Sequence, residues 1–180
     1  KYVMSKCKLI VFSDIHYLDE RPKKLNAKLK RKLTQYAEEI VMKLIDEIHD
    51  TKPDLSICLG DLIEDTYNHD KDIANYTYIW NILKKIPVPF YSALGNHDLR
   101  TMYSRKEIEE IMGYENATFS FNMNGYHFII LTTDIKRDVG EQDGGIYQAQ
   151  HMSEEEISWL KEDLLKNTLP CIIFTHFGLA

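Results

Sequence analysis

The chain has 180 residues, 44% of them hydrophobic and 28% charged, with a formal net charge of -6. This composition suits one globular domain able to bury its own core and excludes a largely disordered chain. The acidic balance gives nonspecific binding to nucleic acid or anionic membrane little support, and no apolar run approaches the ~18 residues that would span a bilayer.

Lys8 to Asp14, KLIVFSD, is a continuous apolar run ending in polar residues, which predicts a central strand buried on both faces. Leu25, Leu29, Leu33, Tyr36, Ile40, Leu44 and Ile48 follow at spacings of three or four, the stripe of an amphipathic helix ending near Asp50, before Pro53. Lys23, Lys24, Lys28, Lys30, Arg31 and Lys32 fall at mixed positions on that helix and read as a solvated face. Asp54 to Asp61 repeats the strand-then-polar theme, Ile73 to Ile86 has the spacing of a second helix, and VPFYSALGN, Val88 to Asn96, reads as a third strand. This alternation argues for right-handed crossovers and parallel pairing.

A short helix is expected over Ser104 to Met112. Asn124-Gly125, a pair suited to a tight hairpin turn, then separates strands at Thr118 to Asn122 and Tyr126 to Thr132. Ser153 and Glu156 form a capping-box pattern ahead of a helix whose buried stripe would be Ile157, Leu160, Leu164 and Leu165, and Pro170 to Thr175 is the last strand. Cys7, Cys58 and Cys171 sit in or beside apolar runs and are read as buried free thiols. With no basic-then-apolar leader at the N-terminus, the expectation is a soluble protein of the cytoplasm.

Four of these strands end in residues able to bind a metal: Asp14 and His16 after the first, Asp61 after the second, Asn96 after the third and His176 after the last. In an open α/β sheet the carboxyl ends of parallel strands line one edge, so these residues would converge. Each alone is also an ordinary turn or surface imidazole; the recurrence at four strand ends points to a site. Oxygen ligands with neutral imidazoles suit Mn²⁺, Fe or Zn²⁺, and a carboxylate bridges two ions readily, which makes Asp61 the natural bridge. Two ions roughly 3.5 to 4 Å apart would bind a phosphoryl oxygen, acidify a bridging water and stabilise an in-line displacement, the chemistry of phosphate-ester hydrolysis.

SDIH, GDLI, GNHD and FTHF, starting at Ser13, Gly60, Gly95 and Phe174, resemble the successive blocks of the calcineurin-like metallophosphoesterases, in that family's order and across nearly the whole chain. Residues 144–164, GGIYQAQHMSEEEISWLKEDL, are similar to a helix region of its phosphodiesterase and purple-acid-phosphatase branch. The resemblance implies an α/β sandwich of mixed sheets in two or four layers, with a central β-α-β-α-β core flanked by helices and a binuclear metal site at one edge. It implies that Asp14 and His16 hold one ion, that Asp61 bridges, and that Asn96 and His176 hold the other. His97 would face the substrate phosphate, with Asp98 accepting an imidazole N–H to orient it, and Gly95 would let the backbone turn out of the strand. The implied cofactors are two divalent ions, Mn²⁺ ahead of an Fe/Zn pair, and the implied partner is a small phosphorylated substrate such as a nucleotide derivative.

Two departures matter. Glu64 stands where purple acid phosphatases place a tyrosine, so no purple centre is expected, and residues 1–180 contain no Gly-His-x-His block to close the site. The expectation is a single domain lacking its C-terminal portion; the alternatives are ligands borrowed from a partner, or a noncatalytic scaffold with a degenerate site. His49, His69, His127 and His151 are read as surface or structural, Asp134 as a strand-ending turn, and Trp159 as core.

Overall fold

A computed structural model describes residues 6–19, 32–136 and 149–178. Strands β1 (Leu9–Phe12), β2 (Leu55–Cys58) and β3 (Phe90–Ser92) form a parallel sheet in that order, with Leu9 opposite Leu55 and Ser56 opposite Phe90. Each parallel step needs a crossover, supplied by α1 (Ala37–Thr51) and α2 (His69–Leu83). The β-α-β-α-β core expected from the alternation is therefore present.

Pleating divides the strand residues between two cores. Leu55 and Ile57 face a second sheet, whereas Cys58, Ile10 and Phe12 pack with Val41 and Ile48 of α1 and Tyr76, Ile79 and Leu83 of α2. A 3₁₀ turn at Thr34–Tyr36 precedes α1, and Leu25 and Leu29 lie outside the described residues. With α1 starting at Ala37, the helical stripe that reaches Ile48 runs through Ala37 and Val41, so Leu33, Tyr36 and Ile40 are exposed rather than buried. Helix α2 is capped by Asn68, whose side chain accepts from the Lys71 amide at 3.0 Å.

Two short helices follow β3, the single turn α3 (Asn96–Leu99) and α4 (Arg105–Met112). The second sheet then begins with β4 (Phe119–Met123) and β5 (Tyr126–Leu131), antiparallel about Asn124 and Gly125, both at positive φ. An antiparallel ribbon, β6 (Asp134–Lys136) with β7 (Ala149–His151), was not legible in the sequence, and it places Asp134 within a strand rather than a turn. Helix α5 (Glu154–Lys166) opens with the predicted box: Ser153 N–H donates to Glu156 at 2.9 Å, and Glu156 N–H to Ser153 Oγ at 3.1 Å. It leads to β8 (Cys171–Thr175), parallel to β5.

The order is helices, sheet, sheet, helix. Phe128, Ile130 and Phe174 fill the space between the sheets, and α5 lies on the outer face of the second, where Asp163 accepts from Ser120 at 2.6 Å. This outer contact is polar, which explains why Leu164 and Leu165 are exposed instead of completing a buried stripe. Trp159 is half-buried. Cys58 is buried as expected, but Cys7 is half-buried and Cys171 exposed, because β8 shows its first residue to solvent. No helix among the described residues is long and apolar enough to cross a membrane.

Candidate metal centre

The site is assembled where β1 and β2 leave their sheet still joined. Asp14 N–H donates to the Gly60 carbonyl at 3.1 Å, His16 N–H to Asp61 at 3.0 Å and Tyr17 N–H to Leu62 at 2.8 Å. This zipped pair of loops places Asp14 and His16 beside Asp61. All three adopt left-handed backbone, with φ of 59°, 50° and 55°, a conformation few residues other than glycine accept and one that gathers at functional sites.

Gly60 is also left-handed, at φ 106°, and a Cβ there would stand 2.4 Å from Gly95 N. Gly95 itself is extended, at φ -103°, so it is not needed for turning. Its requirement is steric: a Cβ would lie 2.2 Å from Asp61 Oδ1. The two glycines let the loops after β2 and β3 meet backbone to backbone.

Asp61 is the hub, only 3% exposed. Its Oδ1 accepts from the His97 amide at 2.8 Å. Its Oδ2 is approached by three imidazole Nε2 atoms: His176 at 3.5 Å, His16 at 3.7 Å and His97 at 3.9 Å. These separations exceed ordinary hydrogen bonds and leave room among the donors. Each ring is held from behind through Nδ1, His176 by the Leu59 carbonyl at 3.0 Å, His16 by Glu64 at 3.0 Å and His97 by Asp65 at 2.5 Å. An Nδ1–H fixed by an oxygen leaves the Nε2 lone pair directed inward, the arrangement that orients metal-ligating histidines.

Asp14 Oδ1 lies 3.3 Å from His16 Nε2, so it faces the same space from the more exposed side. Asn96 opens α3, half-buried and next in sequence to His97. Ligand atoms of His16, Asp61 and His97 all fall within 4.8 Å of one another. This mixture of carboxylate and imidazole donors fits a divalent transition ion.

Asp98 does not have the orienting role expected from the resemblance. Its carboxylate accepts the amides of Asp61 at 2.8 Å, Leu62 at 2.8 Å, Ile63 at 3.4 Å and Gly95 at 2.9 Å, tying the two glycine loops together. The partner of His97 is Asp65, itself bound by Arg100 at 2.6 Å. Lys32 also departs from expectation: its ammonium pairs with Glu64 inside the site instead of lying on a solvated face. Lys23, Lys24, Lys28, Lys30 and Arg31 lie outside the described residues. Sequence reasoning missed Glu64, Asp65, Arg100 and Lys32 as site residues; acidic residues following Gly60-Asp61 were the one available signal.

Electrostatics follow the geometry. Burial would raise the Glu64 carboxyl, but hydrogen bonds from His16 and Lys32 hold it down at about 2. Burial would depress His16, yet the Glu64 hydrogen bond and the charges of Asp61 and Glu64 raise it. His97 is shifted down by burial despite Asp65, which favours a neutral ring. Asp98 is raised by complete burial and by the charge of Asp61.

The other histidines with described side chains stand apart, and the side chain of His151 lies outside the description. His49 is exposed, His69 pairs with Glu107 at 2.5 Å, and His127 is bound beneath α5 by Asn122 and Asp163.

Layered sheets with donors gathered at strand ends define a class of metal-binding α/β sandwich, and solved structures share the fold. A dimetal phosphatase from Danio rerio matches with a TM-score of 0.73 at 14% identity, over 97% of this chain and 70% of its own. The protein TT1561 of Thermus thermophilus matches with a TM-score of 0.57 at 15% identity, over 93% and 67%. Residues 7–180 match the calcineurin-like phosphoesterase family model, and the chain belongs to that family. A probable cyclic nucleotide phosphodiesterase of Xenorhabdus bovienii (strain SS-2004) is 28% identical over 172 residues, covering 94% of this chain. The chain spans 62% of that relative's length.

Proposed function

We propose that the chain is the phosphoesterase domain of a metal-dependent hydrolase acting on phosphate mono- or diesters through a binuclear centre. The observation that carries this reading is Asp61 Oδ2, faced at 3.5 to 3.9 Å by three Nε2 atoms whose rings are fixed from behind. Asp14 and His16 would hold one ion, Asn96 and His176 the other, and Asp61 both, with Mn²⁺ favoured over an Fe/Zn pair. When bound, the ions supply Lewis-acid stabilisation of phosphoryl charge and acidify a water. The Gly-His-x-His ligands of the family have no counterpart in residues 1–180, and the chain spans 62% of the length of its curated relative.

The chain's own residues account for the remaining chemistry. Glu64 and Asp65 orient His16 and His97, and the Leu59 carbonyl orients His176. His97 presents Nε2 to the centre; in the protonated ring, held by Asp65, that nitrogen would donate to a phosphoryl oxygen or pass its proton to the leaving oxygen. Asp98 acts by holding the two loops in register. A small phosphorylated substrate of nucleotide type is supported by the name of the Xenorhabdus relative, and a reducing cytoplasm by three thiols that are unpaired in the structure.

The test is metal content and Mn²⁺-dependent hydrolysis of bis-p-nitrophenyl phosphate by the full-length gene product, followed by a panel of cyclic nucleotides and nucleoside diphosphate derivatives. Bound metal with turnover is expected. A protein that takes up no metal and hydrolyses neither diesters nor monoesters overturns the proposal and favours a scaffold.

A further inference from the structure

The side chain of Lys32 reaches the centre from just before the 3₁₀ turn that leads into α1, and it is only 19% exposed. Its ammonium pairs with Glu64 and lies 3.2 Å from His16 Nδ1 and 3.4 Å from His97 Nε2. The His16 and His97 rings meet edge to face with centroids 4.7 Å apart, so the ammonium sits against both members of a packed pair. We propose that Lys32 is a charge-selective contact for the phosphoryl group of the substrate, binding a non-bridging oxygen beside His97. The inference rests on the phosphoesterase reading and adds a specificity residue to it.

The physical case begins with the cost of placing an ammonium here. A largely desolvated cation must be paired, and Glu64 supplies one carboxylate. An ammonium has three donors and no acceptor, however. Two of its neighbours are imidazole nitrogens, and His16 Nδ1 is already 3.0 Å from Glu64. With Glu64 taking one donor and His97 Nε2 facing a second, the third is left for an anionic oxygen arriving beside the two rings. The flexible four-carbon stem lets the ammonium follow that oxygen without moving the backbone, as suits a lysine that binds phosphate as a point charge. Coulomb attraction doubles from a singly to a doubly charged phosphoryl group, so Lys32 should matter more for monoesters and terminal phosphates than for diesters.

The experiment compares wild type, Lys32→Met and Lys32→Arg of the full-length gene product loaded with Mn²⁺. Metal content, melting temperature and the dissociation constant of inorganic phosphate by calorimetry are measured, with KM for p-nitrophenyl phosphate and bis-p-nitrophenyl phosphate. Lys32→Met should weaken phosphate about tenfold and raise KM more for the monoester than for the diester. Lys32→Arg should recover most of the phosphate affinity, and metal content should be the same in all three. Unchanged phosphate affinity in Lys32→Met, whether or not metal content falls, overturns the inference and leaves Lys32 as a neutraliser of Glu64. An equal KM rise for both esters overturns the charge selectivity. If Lys32→Met does not fold, Lys32→Gln replaces it on the same readouts. Wild type without metal or turnover fails at the earlier step and rejects the phosphoesterase reading itself, and this inference with it.

Discussion

Two buried histidines of this protein look alike locally and differ in what surrounds them. His97 pairs with Asp65 at 2.5 Å and His127 with Asp163 at 2.6 Å. His127 lies in the middle of β5, and its other nitrogen is 2.7 Å from Asn122, so both ring nitrogens are engaged and the assembly fastens α5 to the sheet. His97 lies at a strand exit with Nδ1 engaged and Nε2 3.9 Å from Asp61 Oδ2 and 3.4 Å from the Lys32 ammonium. A buried imidazole-carboxylate pair is thus no sign of a site by itself. What separates the two is the second nitrogen, hydrogen-bonded to an asparagine of the same sheet in one region and facing the Asp61 carboxylate and the Lys32 ammonium in the other.

The largest effect is expected at Asp61, which the His97 region has and the His127 region lacks. Asp61→Ala should bring phosphodiester turnover to background and remove bound metal, measured by colorimetric assay and elemental analysis; retained metal would deny the hub its role. Next is Asp65→Asn, expected to lower turnover about 10- to 100-fold through loss of the His97 anchor, with metal content conserved. His97→Ala should likewise reduce turnover more than metal content.

Asp98, unlike Asp65, holds backbone rather than an imidazole. Asp98→Ala strands buried backbone amides and should cost about 3 kcal/mol in urea unfolding of the metal-free protein. Full stability with reduced turnover would instead restore the orienting role that the motif suggests. On the other side of the comparison, His127→Gln should cost about 1 to 2 kcal/mol by the same measurement, with metal content and KM unmoved.

The smallest effect concerns pH. Glu64 titrates at about 2 when folded, below its ordinary 4.5, so its contribution is present above pH 4.5 and is lost as pH falls toward 2. Melting of the metal-free Glu64→Gln protein should therefore depend less on pH across that window than wild type does.

Much of this was legible in the sequence. Apolar runs ending in Asp14, Asp61, Asn96 and His176 marked the strands β1, β2, β3 and β8, and Ser153 with Glu156 marked the start of α5. Periodicity failed where an element's partner decided exposure, as for Leu164 and Leu165 on a helix seated through polar contacts, or for Ile40 once α1 began at Ala37. The motif also misassigned adjacent carboxylates. Asp98 follows His97 in sequence, yet the single turn of α3 carries its carboxylate to the amides of residues 61, 62 and 95, while Asp65 arrives from another loop to meet the ring.

The residue types that end each strand, and with them the family and the class of chemistry, could be read from the chain alone, because strand patterning and donor identity are local. Only the tertiary structure decided which carboxylate holds which imidazole, why Gly95 must be a glycine, and that Lys32 points inward. Those depend on how close two loops and a side chain from a third segment approach in space, a distance that spacing along the chain does not encode.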